Sequence, residues 1–109
     1  MAAFKSFSFN LSTAPQTLYT VPNNIVAVVI LCQAANVSDT NQSVTLTRHD
    51  AIRNIDADLA PAVVVPSSSA IALLTGKLAL MSGDILSSFC ATDSAVDLTI
   101  TVMETPQSA

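Results

Sequence analysis

Apolar and polar side chains alternate along most of this chain with a period of two. Phe7, Phe9 and Leu11 alternate with Ser6, Ser8 and Asn10. Val44 and Leu46 alternate with Thr45 and Thr47, and Val96, Leu98, Ile100 and Val102 alternate with Asp97, Thr99 and Thr101. Successive side chains of a strand point to opposite faces, so this period predicts half-buried strands. Further short apolar runs, at 18–21, 62–65, 71–74, 78–80 and 85–91, stop at turn-forming residues. Those turns are Pro22-Asn23-Asn24, Pro66 with a Ser triplet, Thr75-Gly76-Lys77, Ser82-Gly83-Asp84 and the segment 92–95. Turn signals about every ten residues are the cadence of an antiparallel sandwich or barrel. The pattern predicts an all-β protein: a single-domain, antiparallel, jelly-roll-like sandwich of about eight strands in two sheets.

Two stretches break the alternation. Residues 25–32, IVAVVILC, are apolar without interruption. One face of such a strand belongs to the core. The other carries either Ile25, Ala27, Val29 and Leu31 or Val26, Val28, Ile30 and Cys32, and a stripe of that kind facing water invites aggregation. A sister subunit is the expected cover; the alternative is another partner surface or the chain's own 50–59 loop. That loop, DAIRNIDADL, is the second exception. Ile52, Ile55 and Leu59 have i, i+3, i+7 spacing, which suits one or two helical turns or an extended loop. Arg48, just before it, continues the core-facing parity of Val44 and Leu46, so it needs a carboxylate or backbone carbonyls as partner. Arg53, Asp56 and Asp58 surround Ile52 and Ile55, which fits either a loop docking on a neighbour or one folded over the end of its own sandwich.

Composition sharpens the question of cover. A chain of 109 residues is one domain with a large outside. Charged residues are only 11%, against a usual share of about 25%. Hydrophobic residues reach 50%, and mean hydropathy is +0.54. The outside must then be made of small polar residues or be covered by another chain, which points to an obligate oligomer. The net charge is −4, and Lys5, Arg48, Arg53 and Lys77 are scattered. Phosphate binding needs clustered cations, so no direct nucleic-acid contact is expected. The longest apolar run falls far short of the roughly 20 residues that span a bilayer, so no membrane contact is expected. The N-terminus lacks the apolar stretch of a signal peptide, which predicts a protein made and kept in the cytoplasm of the producing cell. In that setting Cys32 and Cys90 are expected as buried free thiols.

Candidate chemistry is sparse. His49 is the single histidine, and its neighbour Asp50 would point to the opposite face of a strand, a poor start for a triad. No nucleophile elbow is present. Asn54, Asp56 and Asp58 have the spacing of half a calcium loop but lack its turn glycine and closing glutamate. The two cysteines lack zinc spacing, and two glycines cannot build a phosphate loop. No enzyme activity, cofactor or metal is expected.

The stretches TLYTVPNNIVAVVILCQAANVSDTNQSVTL, VVVPSSSAIALLTGKLALMSGDIL and AVDLTITVME, in this order across residues 16–104, resemble small β-sandwich accessory proteins of tailed-bacteriophage virions. The departure lies at Asn23-Asn24, where that group carries a more glycine-rich turn; asparagine also tolerates a positive φ. The resemblance implies a virion structural protein, assembled in the host cytoplasm: a capsid decoration (cement) protein, commonly a trimer, seated on the major capsid protein. A head–tail connector, tail or fibre-base component is the near alternative. A small carbohydrate- or receptor-binding jelly-roll module is the alternative of another class. The matched region lies within a sandwich domain at 15–109. It follows an arm at 1–14 whose Phe4, Phe7 and Phe9 either pair with a partner by strand addition or form an ordinary first strand. The expected partner-contact residues are Phe4, Phe7, Phe9, Val26, Val28, Ile30, Arg48, Ile52, Arg53 and Ile55.

Overall fold

A computed structural model describes residues 3–74 and 76–107. Met1 and Ala2 of the expected arm, Thr75 of the expected turn and the last two residues lie outside that range. The described chain is all strand and turn. The strands are β1 (Ala3–Asn10), β2 (Gln16–Thr20), β3 (Ile25–Asn36), β4 (Gln42–Asp50), β5 (Ile55–Val65), β6 (Ala70–Ala72), β7 (Leu78–Leu80), β8 (Ile85–Cys90) and β9 (Val96–Pro106). They pair antiparallel in two sheets. One has the order β1-β9-β3-β6, with β7 also on β3; the other has the order β2-β8-β4-β5. Apart from the β4–β5 hairpin and the β6–β7 step, every connection crosses between the sheets, the wrapping of a jelly roll. The expected fold class holds, with nine strands because the last edge of the first sheet is split into two short pieces.

The alternating residues fill the space between the sheets. Val96, Leu98, Ile100 and Val102 of β9 are fully buried and face Val44, Leu46 and Leu86 of the second sheet within one apolar core. At β3 a bulge between Val29 and Leu31 changes the parity of the strand. Ala27 and Val29 point inward before it, Cys32, Ala34 and Asn36 after it, and Ile30 and Leu31 are both exposed at the bulge. Neither single-parity row of the apolar run exists, because two residues here oppose one on β9 and the inward face changes register.

The 50–59 segment is neither helix nor long loop. Asp50 ends β4, residues 51–54 turn, and β5 begins at Ile55. The Asp50 carboxylate accepts the backbone N–H of Ile52 and of Arg53 and pairs with the Arg53 guanidinium at 3.0 Å. Asn54 takes φ 54°, which completes the reversal. The helical spacing was a coincidence of turn and strand: Asp56, Ala57 and Asp58 pair with His49, Arg48 and Thr47 across the hairpin, and that ladder outweighs a periodicity of only three residues.

Asp84 ties this hairpin to the end of the sandwich. It is fully buried. It accepts the N–H groups of Ala51 at 2.9 Å and Met81 at 3.0 Å, and a guanidinium N–H of Arg48 at 2.7 Å. Burial alone would raise its pKa, but the two backbone donors and Arg48 outweigh that and hold it below the usual carboxylate range. Beside it Gly83 has φ 88°, and a Cβ there would stand 3.1 Å from that of Ala51. Gly76, by contrast, has open space around it and needs no glycine.

Candidate assembly surface

The outward face of the β1-β9-β3 sheet is built in rows that the ladder register defines. Phe4, Met103, Val28 and Ala79 lie side by side across β1, β9, β3 and β7. The next row is Ser6, Thr101 and Leu31, with Ile30 at the bulge. Beyond it the rows are Ser8, Thr99, Gln33 and Ala72, then Asn10, Asp97, Ala35 and Ala70. One end of this face is therefore apolar, and the other is knitted by Ser8–Thr99 and Asn10–Asp97 side-chain hydrogen bonds of 3.0 and 2.8 Å. Phe4 is 68% exposed, and Ile30 and Leu31 are 40% and 41% exposed. No cavity opens among the described residues, so the feature able to engage another molecule is a surface.

The expected contact residues divide into three groups. Phe4, Val28 and Ile30 lie on or beside this apolar end, and Val26 adjoins it opposite Thr105. Phe7 and Phe9 alternate with Phe4 and face the core side, half-buried because β1 is the last strand of its sheet. Residues 3–10 thus form a first strand of the chain's own sheet. Arg48, Ile52, Arg53 and Ile55 sit on the β4–β5 hairpin of the other sheet. Arg48 has its carboxylate within the chain, at Asp84, so its inward parity reflects an internal anchor. Ile52 and Ile55 stand exposed at the hairpin tip, and Arg53 is taken by Asp50. The sandwich thus does not use this segment to cover β3. Leu31 and Met103 join the apolar end without having been expected. Met103 was legible, as the one large apolar residue on the polar parity of β9; Leu31 was not, because the bulge brings it outward.

A second buried carboxylate lies where β1, β2 and β9 meet. Glu104 accepts the Tyr19 hydroxyl and pairs with Lys5 at 2.9 Å, and the Tyr19 ring packs beside Phe7 with ring centres 6.0 Å apart. The hydrogen bonds from Tyr19 and Lys5 hold the Glu104 pKa below its usual range, while burial and Glu104 itself push that of Tyr19 up. This cluster clamps the β1 edge to the second sheet.

The remaining candidates are placed plainly. His49 Nδ1 meets Asp56 Oδ1 at 2.7 Å, and Asp58 accepts the Thr47 hydroxyl at 3.0 Å, so both aspartates act as cross-strand partners. Asn54, Asp56 and Asp58 form no cluster with a further ligand among the described residues. Cys32 and Cys90 are free and buried on different sheets, and burial pushes the Cys32 thiol up to about 12. Among the described residues no helix is long and apolar enough to cross a membrane.

No protein-family model and no curated protein matches the chain. Among solved structures the fold is similar to one from work on Bacillus endospore appendages, described as a family of disulfide-linked pili. The TM-score is 0.59 at 12% identity, over 99% of this chain and 88% of the other. At that identity the likeness is one of fold.

Proposed function

We propose that this chain is a non-enzymatic structural subunit that works by docking the apolar end of its β1-β9-β3 face on other proteins of an assembly. The observation that carries the reading is the continuous apolar surface of Phe4, Met103, Val28, Ala79, Ile30 and Leu31 on an otherwise hydroxyl-rich face. Burying such a surface yields about 25 cal/mol per Å², and contacts repeated over a lattice add. The resemblance of residues 16–104 to phage accessory proteins supports a place in a virion, as a capsid decoration protein seated on the major capsid protein. A trimer around β3 fits that role. Purified protein mixed with undecorated phage shells is expected to sediment with them, and the Phe4→Ser/Leu31→Gln double variant to stay in the supernatant. Wild type left in the supernatant would remove the cement role.

A second reading, a subunit of a surface appendage, draws on the fold likeness to the endospore pilus protein. The buried thiols here speak to its chemistry. Cys32 and Cys90 are 1% and 2% exposed, so a fibre of this folded chain would hold together by surface contact without disulfides between subunits. Electron microscopy of concentrated protein with and without reductant tests this: fibres indifferent to reductant support it, and no fibres in either condition argue against it.

A further inference from the structure

The four sheet edges of this sandwich are not equally protected. A free edge presents unpaired N–H and C=O groups, and proteins usually blunt it with proline, charge, bulges or brevity. β2 has five residues, a register shift and Pro15 just before it. β5 has Pro61, two register shifts, Ala62 at φ 44°, and the charges of Asp56 and Asp58. The edge opposite β1 is split into β6 and β7, three residues each. β1 has eight residues in unbroken register with β9, no proline and one charge.

The register also says which backbone groups are free. Leu11 N–H donates to the Val96 carbonyl at 2.9 Å, and residues 11 and 96 continue the β1–β9 pairing. In an antiparallel ladder bonded pairs recur every second residue. Ala3, Lys5, Phe7 and Phe9 therefore turn their backbone groups to β9, and Phe4, Ser6, Ser8 and Asn10 turn theirs to the open edge. All four of the latter are exposed. Their side chains lie on the outward face, while Phe7 and Phe9 on the inward face remain half-buried for want of a strand beyond them.

The geometry points to β1 as the self-pairing edge: two copies join β1 to β1 about a two-fold axis through Phe7, merging their β1-β9-β3 sheets into one. The chemistry of the strand selects this register. An axis through Lys5 sets the two lysines opposite each other. An axis through Ser6 leaves Asn10 without a partner, and one through Ser8 leaves Phe4 without one. Only the axis through Phe7 pairs Phe4 with Asn10 and Ser6 with Ser8 of the second copy, so that every edge N–H and C=O of the four residues is bonded. Phe7 then faces its own copy, and Phe9 covers the stem of Lys5 while that lysine keeps Glu104. Such an isologous contact closes on itself and leaves the apolar end of the face available for a further partner. The inference rests on the reading of the chain as an assembling subunit.

Sedimentation equilibrium from micromolar to millimolar protein tests it, together with Ser8→Pro, which removes one edge N–H but no bond to β9. Wild type should form a dimer, and S8P should stay folded with dimerisation at least tenfold weaker. In wild type the amides of Phe4, Ser6, Ser8 and Asn10 should exchange more slowly as concentration rises, while those of Lys5, Phe7 and Phe9 stay slow throughout. A charge-swap pair gives an independent readout should S8P misfold: S6K/S8K and S6D/S8D should each be monomeric alone and form a mixed dimer together. A wild type that is monomeric throughout, or dimers indifferent to these changes with fast exchange at the four amides, overturns the pairing. A monomer that still sediments with shells would sink the pairing and leave the structural role standing.

Discussion

The two sheets of this sandwich share one core and differ in how they meet water. The β2-β8-β4-β5 sheet is locked on itself. Thr47–Asp58 and His49–Asp56 tie its hairpin, the Ser88 hydroxyl donates to the Thr45 carbonyl, and Asp84 pins Arg48 and the turn at Ala51. Its outer edge, β5, is bulged and carries a proline. The β1-β9-β3 sheet has an apolar end on its outward face and a regular open edge. Polar cross-links make one sheet self-sufficient, and their absence at the apolar end leaves the other with surface to give to a partner. The likeness of composition between the inner and outer sides of β3 hides this difference, because a valine is core or interface according to what lies over it.

Substitutions can break that comparison at several levels. The largest effect is expected at Val29, fully buried on the inner side of β3. Val29→Asp places an unpaired carboxylate in the core, a cost of several kcal/mol against a typical total of about 5–15 kcal/mol. Circular dichroism should show no cooperative unfolding. Asp84→Ala comes next. It strands the Arg48 guanidinium and two backbone N–H groups, with an expected loss on the order of 3 kcal/mol by urea denaturation. Val26→Asp, on the outer side of the same β3, should by contrast leave a folded protein.

Acidification tests both buried carboxylates at once. Asp84 and Glu104 have folded pKa values below their unfolded ones. Their contribution is complete above the unfolded values and is lost as the pH falls through the folded ones. Stability should therefore be flat at neutral pH and decline from about pH 5 downward. Asp84→Asn should flatten part of that decline. Tyr19→Phe removes one donor from Glu104 and should cost about 1–2 kcal/mol, read as a lower melting temperature. Leu31→Gln is the smallest change in stability, within about 0.5 kcal/mol. It is expected to matter only in shell binding, which is the distinction between the two sides of β3 in its sharpest form.

Much of the architecture was legible in the chain. The clean alternation of β9 located a core row because period two leaves no other face for Val96, Leu98, Ile100 and Val102. The turn at Asn23-Asn24 was legible through the tolerance of asparagine for positive φ, which Asn24 adopts at 62°. The Asp84 carboxylate was expected to serve its own turn and does so through Met81. Its second task, holding Ala51 and Arg48, joins residues more than thirty positions apart and has no local signature. The 50–59 segment misled because three apolar residues at helical spacing weigh less than an eleven-residue strand pairing on β4.

Local pattern therefore determined the strand content, the turns, the core row of β9 and the need for cover, since these follow from side-chain alternation and from an apolar share of 50%. Tertiary structure decided which side of each strand would need covering. The β3 bulge reversed the parity of the apolar run, and the sheet order made β1 an edge. Parity after a bulge and position within a sheet depend on pairing between distant segments, and no single stretch of the chain records either.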